Sequence, residues 1–76
     1  MTFKELSIGD YAKVLGFNES GKAYRRKLLS MGITPGTEFN VIRVAPMGDP
    51  VEILIRGYSL TLRKAEADAL AVEKIS

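Results

Sequence analysis

The sequence contains no cysteine, no histidine and no tryptophan. Without cysteine, a chain can build neither a disulfide framework nor a thiolate metal site. Without histidine, it lacks both the commonest general base and the commonest metal ligand of proteins. Carboxylates and carbonyls remain, and such hard oxygen donors alone make poor, unselective sites for transition metals. We therefore predict that the chain is not an enzyme, holds no cofactor and has no metal site.

Long apolar runs are also missing. No stretch approaches the roughly 18 apolar residues that cross a bilayer. The first residues, 1–6, contain no apolar segment of the kind that a signal peptide carries. We expect no direct insertion into a membrane and, since cysteine is absent as well, a cytoplasmic location.

The chain is short and only mildly basic. Its 76 residues predict one domain spanning residues 1–76. A chain of this size buries only about 60% of its unfolded surface, which leaves no room for a core and a deep substrate cavity together. Eleven lysines and arginines against nine acids give a net charge of +2. This is well below the charge of a dedicated nucleic-acid binder, so no nucleic-acid partner is expected. The oligomeric state stays open.

One short helix is predicted over residues 22–31. Tyr24, Leu28 and Met31 have the i, i+4, i+7 spacing of a single helix face. Ser20 precedes them as a candidate N-cap, because its hydroxyl can accept a free backbone N–H. Gly32 stands where many helices end in a left-handed residue. The Thr-Pro-Gly-Thr segment at 34–37 then fits a type II turn.

Alternating apolar residues predict strands on both sides of this helix. They cover residues 11–17, 38–45, 51–56, 59–63 and 70–75, with a helical turn at 64–68. In the second strand the alternation starts with Phe39 and Val41 but continues with Ile42 and Val44. This change of phase indicates a bulge or a strand buried on both faces. The predicted fold is mainly β, a small barrel of about five strands with one short α-helix between the first and second strands.

Three ordered motifs resemble the FeoA family. The first runs Leu28-Leu29-x-Met31-Gly32-Ile33-x-Pro35-Gly36-x-x-Phe39-x-Val41. The second and third are Ala45-Pro46-Met47-Gly48-Asp49-Pro50-Val51 and Gly57-Tyr58-Ser59-Leu60-Thr61-Leu62-Arg63. The similarity covers nearly the whole chain, with the three motifs in the family's order. The resemblance implies an SH3-like barrel, a cytoplasmic location and an accessory or regulatory role in bacterial ferrous iron uptake. It also implies a partner, the membrane permease FeoB with its cytoplasmic GTP-binding region.

The predicted helix carries a candidate partner-binding face. Leu29 lies four and three residues after Arg25 and Arg26, so the three share one side of the helix. Because the stripe that begins at Tyr24 already covers the core, Leu29 is available as an apolar anchor ringed by cations, which suits an acidic groove. The alternative is that Leu29 also reaches the core and the arginines form a solvated rim.

Met47 is the fourth predicted partner-binding residue. It stands in a loop that Pro46 and Pro50 stiffen, which lowers the entropy lost on binding. The alternative is that Met47 folds back as a lid, since methionine fills irregular gaps well. Asp49 is expected to cap its own turn. The acids at 66 and 68 point apart in a helix and are not expected to form a catalytic or metal pair.

Two other functions stay open at this point. A related SH3-like module ends iron-dependent repressors of the DtxR type, where a helix-turn-helix region precedes it. The chain begins at Met1 without such a region, which favours the free-standing protein. Small barrels can also bind RNA, and Tyr11, Tyr24 and Tyr58 could stack on bases. No run of aromatic and basic residues supports that alternative.

Overall fold

Five strands and two short helices form the frame of the protein. The computed structural model describes residues 1–76, except for the side chain of Ser20, so the predicted N-cap lies outside the described residues. The strands are β1 (Tyr11–Phe17), β2 (Glu38–Val44), β3 (Val51–Ile55), β4 (Tyr58–Leu62) and β5 (Leu70–Lys74). The helices are α1 (Arg25–Ser30) and α2 (Lys64–Asp68), and three 3₁₀ segments cover Phe3–Glu5, Glu19–Tyr24 and Pro46–Gly48.

The strands form one antiparallel sheet in the order β4-β3-β2-β1-β5. Its register shifts between Val14 and Gly16 and again between Val41 and Arg43. The second shift confirms the predicted change of phase and identifies it as a bulge. Ile42 is exposed there, so β2 is not buried on both faces. Such bulges bend strands and let a short sheet curl around its core.

The helical segment differs in form from the predicted single helix over 22–31. It begins as the 3₁₀ segment Glu19–Tyr24 and becomes α-helical only at Arg25. Gly21 lets this start lie close to Ala69, because a Cβ built on it would lie 2.3 Å from the Cβ of Ala69. The backbone N–H of Asn18 also donates to the carbonyl of Ala69 at 2.9 Å. The start of the helical segment therefore packs against Ala69, the residue between α2 and β5.

The end of α1 is as predicted. Gly32 has a φ of +90°, and its N–H donates to the carbonyl of Leu29 at 3.0 Å. The N–H of Ile33 donates to the carbonyl of Leu28, also at 3.0 Å. These two bonds form a Schellman motif, in which the residue after the glycine packs back on the helix. Leu28 and Ile33 are both fully buried, so the motif turns the chain directly into the core.

The core lies between the curled sheet and the helical segments. The predicted stripe is confirmed, because Leu28 is fully buried while Tyr24 and Met31 pack at the edge of the core. The N-terminal segment, which the sequence left unassigned, also contributes: the rings of Phe3 and Phe39 stack with centroids 5.7 Å apart. The other buried apolar residues are Leu6, Ala12, Val14, Ile33, Val41, Val51, Ile53, Ile55, Leu62, Ala67, Ala69, Leu70 and Val72.

The first two residues cover the outer edge of β5. The N–H of Val72 donates to the carbonyl of Met1 at 3.0 Å, and Thr2 forms a β-bridge with Ala71. The other edge of the sheet is β4. It pairs with β3 in continuous register, and no described segment pairs with its outer side.

The close approach of Gly21 and Ala69 gives the first prediction. We expect Gly21→Ala to destabilise the fold by about 1–3 kcal/mol, the usual cost of overpacking a tight contact. Thermal unfolding measures this cost. Gly16→Ala is the matched control, because a Cβ on Gly16 would meet nothing within 4 Å. Equal melting temperatures for the two variants would contradict the proposed role of Gly21.

Candidate functional site

The outer face of α1 is fixed by what its inner face contacts. Leu28 is buried in the core, and one residue earlier Lys27 reaches across to Glu66 on α2. The Lys27 ammonium donates a hydrogen bond to the Glu66 carboxylate. With these two side chains directed inward and across, Arg25, Arg26 and Leu29 are left on the side that faces solvent.

Arg25, Arg26 and Leu29 line one shallow depression, and Lys22 joins them. Leu29 is half-buried and belongs neither to the core cluster nor to the apolar residues packed around it. The structure therefore brings together three of the four predicted binding residues around an apolar centre. Lys22 was missed in the sequence, although it lies three and four residues before the two arginines, a spacing that places it on the same helical face.

Two of the three cations of this face have no ion-pair partner among the described residues. Five of the eleven lysines and arginines form ion pairs with acids within 4 Å, among them Lys22 with Glu19 at 3.2 Å. Arg25 and Arg26 are exposed and form no such pair in the described structure. Two adjacent uncompensated guanidinium groups beside a leucine form a surface suited to an acidic partner.

Met47 lies apart from these three residues. Its side chain is 94% exposed, so it does not fold back as a lid. Its φ is +70°, a conformation that residues other than glycine rarely adopt. Met47 borders a second depression of about 200 Å³, whose apolar wall includes Phe3, Val44 and Val51. The structure therefore does not join Met47 to the α1 face.

Asp49 has a different role from the predicted one. It was expected to cap its own turn, but its carboxylate accepts the backbone N–H of Lys64 at 3.1 Å. Lys64 is the first residue of α2, where backbone N–H groups lack helical partners. The bond therefore ties the loop of Met47 to the start of α2.

The buried acid at this end of the molecule is Glu66. Glu66 is only 4% exposed. Its carboxylate accepts one hydrogen bond from Lys27 and another from the backbone N–H of Arg63 at 3.0 Å. The hydrogen bond from Lys27 lowers the pKa of Glu66, and the bond from Arg63 adds to the effect against the opposing effect of burial. This positioning role was missed because nothing in the spacing of residues 27 and 66 shows that they meet.

Among the described residues, no group of three or more histidines, cysteines, aspartates or glutamates is placed to hold a metal ion. The carboxylate oxygens of Glu66 accept hydrogen bonds from Lys27 and Arg63, and one oxygen of Asp49 accepts a bond from Lys64.

Within the described part of the chain, no helix is both long and apolar enough to pass through a membrane.

A short helix between the first two strands of a curled five-stranded sheet is the arrangement of a small SH3-like domain. The FeoA domain model matches residues 1–74, so the chain belongs to the FeoA family of small non-catalytic accessory domains, which are associated with ferrous iron transport.

Solved relatives share this architecture. A FeoA-like protein from Clostridium acetobutylicum is 42% identical, with a TM-score of 0.89 over 100% of this chain and 87% of that one. FeoA from Stenotrophomonas maltophilia, solved with zinc and described as a prokaryotic SH3 domain protein, is 26% identical. Its TM-score is 0.78 over 96% of this chain and 89% of that one.

A third relative joins two functions in one polypeptide. The Fe(2+) transport protein A/Fe(2+) transporter FeoB fusion protein of Porphyromonas gingivalis is 36% identical over 76 residues. The match covers 100% of this chain and 9% of the fusion protein's length.

The Lys27–Glu66 pair gives a prediction about pH. Because the pKa of Glu66 is lowered in the folded state, chiefly by the hydrogen bond from Lys27, its charged form stabilises the fold above the unfolded pKa of the carboxyl group. That contribution is lost as the pH falls through the folded pKa. We expect Glu66→Gln to reduce stability by about 1–2 kcal/mol at neutral pH, since a charge-assisted bond is lost, and by less in acid.

Urea unfolding of both proteins across an acid-to-neutral pH series measures this difference. Glu73→Gln is the control, because Glu73 pairs with Lys13 at 3.8 Å on the exposed surface, where ion pairs contribute little. A Glu66→Gln deficit that stays constant from neutral to acid pH would contradict the assignment.

Proposed function

We propose that this chain is an accessory protein of ferrous iron uptake that binds the cytoplasmic part of the FeoB permease. The observation that carries the proposal is the relative in which a sequence 36% identical to this chain is fused to FeoB. Two activities joined in one polypeptide have a high effective concentration for each other, which is advantageous when they interact. This function places the chain in the cytoplasm.

The proposed docking face is the α1 face of Arg25, Arg26 and Leu29. The guanidinium groups of Arg25 and Arg26 would speed the encounter with an acidic surface, because electrostatic attraction acts at long range before contact. Leu29 would then anchor the complex by burying its remaining exposed area among the cations, as central apolar residues do in interfaces. No other described apolar side chain of α1 is free of the core in this way.

Met47 is proposed as a second point of contact. It adds an exposed, adaptable apolar side chain on a loop held by Pro46 and by the bond between Asp49 and Lys64. Since Met47 borders a separate depression, it contributes to binding only if FeoB contacts two sides of the molecule.

The expected consequence of docking is a shift in the conformational populations of FeoB rather than chemistry supplied by this chain.

The first test uses Leu29→Glu. We expect the variant to bind FeoB at least about 30-fold more weakly, because an acid replaces the apolar anchor of a surface that must meet acids. Its melting temperature should change little, since Leu29 lies outside the core. Calorimetric titration against full-length FeoB and its soluble GTP-binding region, with and without guanine nucleotide, measures the binding.

Leu15→Glu is the matched control, because Leu15 is 52% exposed on β1 and lies outside the proposed face. Equal weakening by both variants would argue against a specific role for α1. Absence of binding by the wild-type chain to either form of FeoB would refute the proposed function itself.

The second test removes the steering charge. We expect Arg25→Glu combined with Arg26→Glu to reduce the association rate about tenfold or more at low salt. The difference should shrink as ionic strength rises, since surface charges are screened over about 8 Å in physiological salt. Surface plasmon resonance at several salt concentrations measures both rates. A double variant that changes only the dissociation rate would assign these arginines to the final contact instead.

A further inference from the structure

The outer edge of β4 is an unpaired hydrogen-bonding surface. The turn at Arg56 and Gly57 has positive φ at both residues, 46° and 89°, which is the geometry of a tight two-residue hairpin. Such a turn makes Ile55 and Tyr58 a hydrogen-bonded pair, so the bonds to β3 recur at every second residue along the register. The backbone groups of Ser59 and Thr61 therefore point away from β3.

Nothing in the described structure satisfies those groups. Ser59 and Thr61 are exposed, and neither takes part in any of the described turn, bridge or side-chain hydrogen bonds. The opposite edge of the sheet is different, because Met1 and Thr2 pair with β5. One edge is covered by the chain itself and the other is left open.

The sequence of β4 has none of the usual protection of an open edge. Exposed edges commonly carry a lysine, a proline or a bulge that prevents another strand from pairing. β4 reads Tyr-Ser-Leu-Thr-Leu, without charge or proline, and its register with β3 is unbroken. The other two long ladders of the sheet, by contrast, both contain a register shift.

Cations stand at both ends of this edge. Arg56 precedes β4 and Arg63 follows it, and both are exposed without an acid within ion-pair distance in the described structure. The side chain of Lys64 adds a third cation. Three acids lie nearby. Asp49 accepts the backbone N–H of Lys64, and Glu66 accepts that of Arg63 while it pairs with Lys27. Glu52, opposite Thr61, pairs with Arg43 on the side away from β4. Taken together, the two ends of the β4 edge therefore carry a net positive charge.

These charges also disfavour a second copy of the chain as the occupant. Antiparallel pairing of two β4 strands, with Ser59 opposite Thr61, would bring Arg56 opposite Lys64 at both ends. Like charges directly opposite each other in a sheet are destabilising. An extended segment with acids at its ends meets the same edge without that repulsion.

We propose that the β4 edge binds an extended acidic peptide segment by strand addition. Backbone bonds to Ser59 and Thr61 hold the segment, and its terminal acids meet Arg56 at one end and Arg63 with Lys64 at the other. This site goes beyond the α1 docking face and uses none of its residues.

The probe is a short capped peptide of alternating threonine and valine with a glutamate at each end. Amide hydrogen exchange by NMR should show new protection at Ser59 and Thr61 when this peptide is added to the full chain. A peptide of the same length with a lysine at each end should bind at least about tenfold more weakly at low salt. Equal affinity for the two peptides, or no protection at either amide, would overturn the proposal.

Thr61→Pro removes one outward N–H without touching the ladder to β3, a position where edge strands tolerate proline. We expect it to weaken binding of the glutamate peptide at least tenfold, whereas Thr61→Val should bind like the wild type. If Thr61→Pro fails to fold, Arg56→Asn with Arg63→Ser tests the charges instead, since asparagine accepts positive φ. That double variant should lose the preference for glutamate over lysine ends, and a preserved preference would overturn the proposal.

A second copy as the occupant is tested without peptide. Protection of Ser59 and Thr61 that rises with protein concentration alone would assign the edge to self-association and refute the acidic segment.

Discussion

The placement of α1 depends on one buried carboxylate. Glu66 joins α2 to α1 through Lys27 and closes the start of α2 through the N–H of Arg63. A buried charge is costly unless it is paired and hydrogen-bonded, and Glu66 meets both conditions. A six-residue helix is too short to hold itself by propensity, so its position comes from contacts of this kind. The Schellman turn at Gly32 and the contact of Gly21 with Ala69 complete the support.

This support determines what the surface can offer. Leu28 packs in the core and Lys27 pairs with Glu66, so these two residues hold α1 in place. The neighbouring residues of α1 belong to neither contact. Arg25, Arg26 and Leu29 are then free for recognition, held on an element that is fixed at both ends. Rigid presentation of this kind reduces the entropy that binding must offset. The same fold thus separates residues that stabilise the domain from residues that we propose to contact a partner.

The sequence predicted the elements well because each is marked locally. The spacing of Tyr24, Leu28 and Met31, the glycine at position 32 and the phase change after Val41 all act over a few residues. Contacts between distant residues left no such mark. Lys27 with Glu66 and Gly21 with Ala69 are separated by 39 and 48 positions, and Asp49 bonds Lys64 instead of its own turn. The face of Arg25, Arg26 and Leu29 was predictable from helical spacing alone, whereas the isolation of Met47 depends on how the loops fold.

The pairing of Met1 and Thr2 with β5 has a consequence for assembly. A sheet with two open edges can be extended from both sides, and repeated extension leads to filaments. In this molecule the chain's own first residues occupy part of one edge, at Ala71 and Val72, so the edge of β4 is the more open of the two. Addition of a strand beside β4 alone gives one added strand per domain, which disfavours open-ended extension.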